Sequence, residues 1–153
     1  MALTVGDRAP DFTLQSQYGE PVTLSDFAGK QNVIVVFYPF AFSRVCTFEL
    51  SEIRDNLPDL ADDTTAVLAI SCDHMFSLRA FAEQVQLEFS LLSDFWPHGA
   101  VSTAYGAFNA QLGCPVRATF IVDRVGVVRW QVETDSLQAR SLDDYRKILA
   151  ELG

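Results

Sequence analysis

Residues Val33 to Cys46 have the sequence VIVVFYPFAFSRVC, which joins a strand pattern to the start of a helix. The run 33–38 is apolar throughout and rich in β-branched and aromatic residues, which is typical of a strand buried on both faces. A turn with proline and serine follows, and helical spacing of apolar residues begins at Val45. Cys46 thus lies in the first turn of a predicted helix, where unpaired amides and the helix dipole favour a thiolate. Cys46 is therefore a candidate nucleophile.

Strand and helix patterns alternate along the rest of the chain. Two short apolar segments around a glycine-containing turn predict an N-terminal hairpin, and the helix that holds Cys46 is expected to run to Leu57, where Pro58 interrupts it. Further strands are predicted at 66–71, near 91–92, at 118–122 and at 127–132, the last two as an antiparallel hairpin. Further helices are predicted at 76–85, around 101–105 and, with an amphipathic pattern, at 142–152.

This order predicts an α/β fold of thioredoxin-like architecture, with a mixed central β-sheet flanked by helices and an N-terminal β-hairpin. The 153 residues, 49% of them hydrophobic, suit one domain over residues 1–153. Thioredoxin itself uses two cysteines separated by two residues. Here Cys46 is followed by Thr47, Phe48 and Glu49, which disfavours dithiol chemistry of that type.

Composition excludes several classes of partner. A formal net charge of -9 argues against nucleic acid, which is bound mainly through clustered lysine and arginine. The chain shows no apolar run of about 18 residues and no signal-like start, so we expect no membrane association and a cytoplasmic location. Three widely spaced cysteines predict free thiols, with no cofactor and no metal. We interpret Cys72-Asp73-His74 as a cluster where a loop begins, because adjacent ligands on one strand end rarely converge on an ion.

The motif Pro39-x-x-x-Ser43-x-x-Cys46 resembles the active-site motif of the peroxiredoxins, with Ser43 where threonine is usual. Other segments resemble that family in order and spacing over nearly the whole chain: Ala9-Pro10-Asp11-Phe12, Leu24-Ser25-Asp26-Phe27, Gly29-Lys30, Cys46-Thr47-x-Glu49, Arg117-x-x-Phe120-x-x-Asp123 and Arg140-Ser141-x-Asp143. The segment 91–102 further resembles the one-cysteine alkyl hydroperoxide reductase E branch.

The resemblance implies a thiol-dependent peroxidase that reduces hydrogen peroxide, alkyl hydroperoxides or peroxynitrite and leaves a sulfenic acid on Cys46. Arg117 would then stabilise the thiolate and donate to the peroxide, and Ser43 would supply a hydroxyl. Ser43 lies three residues before Cys46, a spacing that also suits a helix N-cap whose side chain bonds the third amide of the helix. A capping role is compatible with catalysis. Pro39 would shield the sulfur from water, although a proline here also suits simple strand termination.

Glu49 and Arg140 would, by the same resemblance, orient Arg117 through bidentate contacts. Taken alone, both are more often solvated helix charges. Because the position five residues after Cys46 is Ser51, a one-cysteine cycle is favoured, with an external thiol or a glutaredoxin-like or mycoredoxin-like protein as reductant. Cys72 and Cys114 are then structural, and whether either can form a disulfide stays open.

Two other hypotheses remain. The chain could be a redox-regulated binding or holdase module, in which oxidation of Cys46 controls assembly. A cysteine hydrolase would need His74 or His98 beside Cys46 as a base. The aromatic residues Phe95 and Trp96 predict either an exposed patch at a homodimer interface or the filled base of a loop.

Overall fold

The computed structural model describes residues 3–135 and 137–152. Within them, one mixed sheet contains the strands β1 Thr13–Ser16, β2 Pro21–Thr23, β3 Asn32–Phe37, β4 Thr65–Ser71, β5 Ser90–Ser93, β8 Arg117–Val122 and β9 Val128–Thr134, and a separate small hairpin contains β6 Phe108–Asn109 and β7 Cys114–Pro115. The order across the sheet is β2-β1-β5-β4-β3-β8-β9. The helices are α1 Arg44–Asp55, α2 Leu57–Leu60, α3 Met75–Val85, α4 Ala100–Ala104 and α5 Leu142–Leu152.

Strand β3 lies inside the sheet, and all its residues are buried, as its apolar sequence predicts. It runs parallel to β4 and antiparallel to β8. The carboxyl ends of β3 and β4 therefore meet the first residue of β8 at one edge of the sheet, since Phe37 pairs with both Ile70 and Ala118. This edge receives Cys46 from α1, which follows β3, and Arg117 from β8.

Two apolar clusters cover the two faces of the sheet. Alternate residues of β3, such as Ile34 and Val36, pack with residues of α1, α2, α3 and α5. The intervening residues pack on the other face, where Phe37 contacts Tyr105 with ring centroids 5.3 Å apart. This two-sided burial confirms the α/β prediction. Among the described residues, no helix combines the length and apolar character needed to cross a membrane.

Most of the predicted elements are present, with two differences. The first helix ends at Asp55, and Pro58 lies within the short helix α2 instead of interrupting a helix that runs to Leu57. This occurs because proline is tolerated in a first helical turn, where its missing N–H would have no partner. The 3-10 helix Leu24–Phe27 and the hairpin of β6 and β7 lie outside the predicted elements, since each is too short to show a period.

Candidate active site

Cys46 is the third residue of α1 and is completely buried. Ser43 precedes the helix in an extended conformation, and Phe42 before it adopts a positive φ of 70° that turns the chain from β3 into α1. The first turn of α1, which the structure describes in full, contains no acidic side chain. Cys46 therefore lies near the positive end of the helix dipole, with no anionic side chain on the same turn.

Arg117 lies against the sulfur. Its Nη1 is 3.5 Å from Cys46 Sγ and also donates to Glu49 Oε1, although Arg117 is only 3% exposed. Burial by itself disfavours the guanidinium charge, but the negative charges of Cys46 and Glu49 outweigh that effect and raise the pKa of Arg117. One nitrogen of a permanent cation thus bridges the thiol and a carboxylate.

Glu49 is clamped from its other side by Arg140. Arg140 Nε donates to Glu49 Oε2 at 2.9 Å and Nη2 donates to Oε1 at 2.9 Å, while the Arg140 amide donates to Oε2 at 2.6 Å. Burial alone would raise the pKa of Glu49, but the hydrogen bonds and charge of Arg140 and the charge of Arg117 hold it below its ordinary value. The bidentate contact therefore joins Arg140 to Glu49, and Glu49 in turn holds Arg117.

The remaining donors of Arg140 fix this group to the sheet. Its Nη1 lies 2.6 Å from the carbonyl oxygen of Phe37, 2.7 Å from that of Ala118 and 3.1 Å from Thr119 Oγ1. The buried charges of Arg117, Arg140 and Glu49 sum to one positive charge. A thiolate at Cys46 would balance this charge, which is how a buried charged group becomes tolerable in a low-dielectric interior.

The Ser43 hydroxyl does not cap the helix. Around α1, a segment that the structure describes fully, the Ser43 side chain makes no cap hydrogen bond; its Oγ donates to the Phe40 carbonyl at 2.8 Å. The capping interpretation is therefore wrong, because the hydroxyl satisfies the loop carbonyl instead of a helix amide. Since its proton is engaged, the Ser43 oxygen offers lone pairs and can accept a hydrogen bond from an incoming O–H group.

A cavity of about 400 Å³ adjoins this group, with Arg117 in its wall. Its walls combine polar groups of the site with apolar side chains: Pro39, Phe40, Ser43, Asn109, Leu112, Cys114, Pro115, Val116, Arg117, Glu133, Thr134, Asp135 and Leu137. The structure thus brings Pro39, Ser43 and Arg117 to one cavity wall, and Arg117 Nη1 also contacts Cys46 Sγ.

Asp73 supports the loop before α1, a role that the sequence pattern did not predict. Its Oδ2 accepts from the Ala41 amide at 2.8 Å and from Ser71 Oγ at 2.7 Å, and its carbonyl oxygen accepts from Ser93 Oγ at 2.7 Å. The available signal was positional, since Asp73 follows β4 and the ends of parallel neighbours β3 and β4 adjoin. In the sequence, Asp73 stands out only as a member of the cluster Cys72-Asp73-His74.

The two histidines serve local structure. His74 Nδ1 accepts from the Phe76 amide at 3.2 Å and so caps α3. His98 Nε2 is 2.7 Å from the Gly113 carbonyl oxygen. In the described part of the chain, neither imidazole hydrogen-bonds Cys46, so the geometry offers a hydrolase no base.

The other two cysteines are buried free thiols. Burial, followed by the charge of Asp94, raises the pKa of Cys72 to about 12. Burial raises the pKa of Cys114 as well, and the negative charges of Cys46 and Asp73 add to that effect. Neither Cys72 nor Cys114 therefore ionises readily.

The aromatic segment after β5 is exposed. Phe95 is 43% and Trp96 is 81% exposed, so Trp96 does not fill the base of its loop. Phe95 packs beside His74 with ring centroids 4.9 Å apart. These residues form part of an apolar surface on the described part of the chain, which agrees with the prediction of an exposed patch.

Comparison with known proteins agrees with the fold. Residues 5–131 match the AhpC/TSA family. The chain is 50% identical over 128 residues to alkyl hydroperoxide reductase E of Mycobacterium tuberculosis, covering 84% of both chains, and 34% identical over 151 residues to the chloroplastic peroxiredoxin Q of Sedum lineare, covering 98% of this chain and 80% of that one. The crystal structure of peroxidoxin BcpB from Mycobacterium tuberculosis superimposes with a TM-score of 0.88 at 29% identity, covering 99% of both chains.

The protein is accordingly a thiol peroxidase built on the thioredoxin fold. The chain belongs to the AhpC/TSA family and is a peroxiredoxin. The resemblance drawn from the motif around Cys46 is confirmed, including its similarity to alkyl hydroperoxide reductase E.

Proposed function

We propose that Cys46 is the reacting thiol of this peroxidase and that it reduces hydrogen peroxide, alkyl hydroperoxides or peroxynitrite. The observation that carries the proposal is the 3.5 Å contact between buried Arg117 Nη1 and Cys46 Sγ. A cation held there before substrate arrives favours the thiolate, and it needs no reorganisation when negative charge develops on an oxygen.

In the proposed reaction, the Cys46 thiolate attacks one peroxide oxygen in line with the O–O bond. The sulfur donates an electron pair to the oxygen that carries the proton, and the O–O bond breaks. The departing group leaves as water or an alcohol after taking a proton from solvent, or as nitrite when the substrate is peroxynitrite. Ser43 Oγ accepts the hydrogen bond of the peroxide O–H, while Arg117 and the Cys46 amide donate to the oxygens. The product is a sulfenic acid on Cys46.

The surrounding residues support this step by position. Glu49 holds Arg117 through Nη1, and Arg140 holds Glu49 in a bidentate contact, so the Arg117 group has little rotational freedom. Pro39 forms part of the cavity wall and limits the access of water to the sulfur. We propose that this machinery belongs to one domain spanning residues 1–153.

We further propose that an external thiol, or a glutaredoxin-like or mycoredoxin-like protein, reduces the sulfenic acid. Such a cycle suits the cytoplasm, where small thiols are kept reduced. We also propose a homodimer. The large aromatic side chains of Phe42, Phe76 and Trp96 are exposed by 48%, 66% and 81%. A dimer interface would remove such apolar area from water.

Single-turnover mixing tests the proposal. Reduced protein is mixed with one equivalent of peroxide, and the sulfur oxidation states are read by mass spectrometry after trapping with dimedone. We expect rapid, stoichiometric peroxide loss in the wild type and in Cys72→Ser, and none in Cys46→Ser. Slow oxidation of Cys46 accompanied by a change in oligomer size would instead support the hypothesis of a redox-regulated binding module.

A further inference from the structure

Cys114 lies in the same cavity wall as the groups that surround Cys46. The cavity of about 400 Å³ is lined by Pro39, Ser43 and Arg117 together with Cys114, and Arg117 Nη1 touches the sulfur of Cys46. Cys114 is 2% exposed and forms no disulfide. A second thiol therefore borders the cavity whose wall contains the arginine that contacts the Cys46 sulfur.

Cys72 does not share this position. It follows β4 and is absent from the cavity walls described around Pro39 and Ser43. Its pKa is raised to about 12 by burial and by Asp94, so it is protonated at neutral pH. Cys72 consequently serves as an internal comparison: a thiol of similar burial, outside that wall.

We propose that Cys114 captures the sulfenic acid of Cys46 to form an intramolecular disulfide when the external reductant is scarce. This inference rests on the proposed function, because peroxide supplies the oxidant. The Cys114 sulfur donates an electron pair to the sulfenic sulfur, an S–S bond forms, and the S–O bond breaks. Hydroxide departs and takes the thiol proton, so the products are one disulfide and one water.

Oxidation of Cys46 itself prepares this step. The negative charge of Cys46 is one of the causes that raise the pKa of Cys114, and that charge disappears when a neutral sulfenic acid forms. Burial still raises the pKa of Cys114, which keeps capture slower than attack by an abundant external thiol. The disulfide thus protects Cys46 from a second peroxide without displacing the external reductant.

Closing the disulfide requires the two Cα atoms to approach within about 4.4–6.8 Å. The first turn of α1 is anchored by the Thr47 amide and Thr47 Oγ1, which donate to the Ser43 carbonyl at 2.9 and 2.7 Å, while its own first amides have no acceptor within the helix. Cys114 belongs to a strand of only two residues and follows Gly113, whose φ is +69°. Unwinding the first turn of α1 breaks the two Thr47 hydrogen bonds to the Ser43 carbonyl and separates Cys46 from Arg117.

The test uses the full chain without any added thiol. Reduced wild type, C72S, C114S and C114A are each treated with one equivalent of hydrogen peroxide, and dimedone is added to separate samples. For the wild type and C72S, we expect loss of two free thiols per chain and a peptide pair linked through Cys46 and Cys114. For C114S and C114A, we expect loss of one thiol and a persistent dimedone adduct on Cys46, with faster conversion to sulfinic acid in excess peroxide.

The proposal is overturned if the wild type keeps the same dimedone adduct as C114S, or if the linked partner of Cys46 is Cys72. In both of those cases peroxide is still consumed, so the proposed function survives. Absence of any oxidation at Cys46 in the wild type would overturn the proposed function and this inference together. The linked peptide pair is measured in the wild type. Misfolding of C114S or C114A therefore cannot imitate the expected result.

Discussion

At the scale of single residues, the chemistry depends on one guanidinium nitrogen. Arg117 Nη1 contacts both Cys46 Sγ and Glu49 Oε1, so its position is set by the carboxylate before any peroxide binds. A lysine at this position would carry the charge on a compact ammonium at the end of a flexible stem, and not on a planar, pre-organised guanidinium. Both the charge and the shape of the side chain are therefore expected to matter.

Replacing Arg117 should slow the reaction with peroxide strongly. We expect Arg117→Ala to lower the single-turnover rate by about 10²–10³-fold, because a preorganised donor aimed at developing charge is lost, and Arg117→Lys to recover only part of that rate. Stopped-flow fluorescence at neutral pH measures the single-turnover rate of each variant. Arg129, an exposed arginine on β9 that pairs with Asp123, provides the matched control as Arg129→Ala. Equal rates for the two alanine variants would contradict the role of Arg117.

Ser43 should act as an acceptor. We expect Ser43→Ala to reduce the rate by about tenfold, which corresponds to ~1.4 kcal/mol in the transition state. Ser43→Thr should keep the rate near that of the wild type, because threonine presents the same hydroxyl. If the alanine variant reacts as fast as the threonine variant, the hydroxyl has no part in binding peroxide.

At the scale of elements, the site is assembled where α1, the end of β4 and the start of β8 meet. Asp73 joins the loop before α1 to β5 by accepting from the Ala41 amide while its carbonyl accepts from Ser93. Glu49, one turn after Cys46 on α1, forms ion pairs with Arg117 and Arg140, which lie outside α1. Elements that are distant in sequence are thus connected through charged groups at one sheet edge.

Removing the Asp73 carboxylate should loosen the loop before α1. Asp73→Ala leaves the Ala41 amide and the Ser71 hydroxyl without their acceptor, so we expect a loss of about 1–3 kcal/mol in the free energy of unfolding together with a slower reaction at Cys46. Urea denaturation and stopped-flow kinetics measure the two effects. Asp63→Ala, in the exposed turn before β4, serves as the control. It should change neither the free energy of unfolding nor the rate of reaction at Cys46.

The buried carboxylate of Glu49 should make the free energy of unfolding depend on pH. The pKa of Glu49 in the folded protein is below its ordinary value of 4.5, so its contribution is present above that value and is lost as pH falls through the folded pKa. We therefore expect the free energy of unfolding to decrease on acidification below about pH 4.5. Glu49→Gln should show a shallower decrease than the wild type, while Glu52→Gln, on the same helix, should follow the wild type. Parallel curves for all three proteins would exclude Glu49 as the source.

At the scale of the whole molecule, the exposed aromatic residues are the feature that a monomer explains least. Trp96 and Phe76 expose 81% and 66% of their surface, whereas the core aromatics Phe37 and Tyr105 are almost fully covered. Covering such apolar area is the usual driving force for symmetric dimers.

A charge at Trp96 should therefore weaken self-association. We expect Trp96→Asp to shift the protein from dimer to monomer in sedimentation velocity experiments, because a carboxylate would be buried without a partner in the interface. Val125→Asp places the same charge on an exposed residue in the turn between β8 and β9 and should leave the dimer intact. A wild type that sediments as a monomer would contradict the proposed dimer.

Several local features of this protein follow from the amino-acid sequence alone. The apolar run in β3, the amphipathic helix α5 and the placement of Cys46 at the start of a helix follow from the spacing of side chains within one segment, so local patterns are enough to predict them. The motif around Pro39 and Cys46 likewise carried the family resemblance, because its residues are close together in sequence.

The contacts that connect the site residues become visible in the folded chain alone. Glu49 meets Arg117 across 68 residues and Arg140 across 91, and no local period shows which nitrogen of a guanidinium will face which oxygen. The direction of the Ser43 hydroxyl, the support from Asp73 and the position of Cys114 on the cavity wall also emerge only in the fold. The physical reason is that side-chain periodicity reports which face of an element is buried, whereas hydrogen bonds between distant elements depend on the register and packing that bring those faces together.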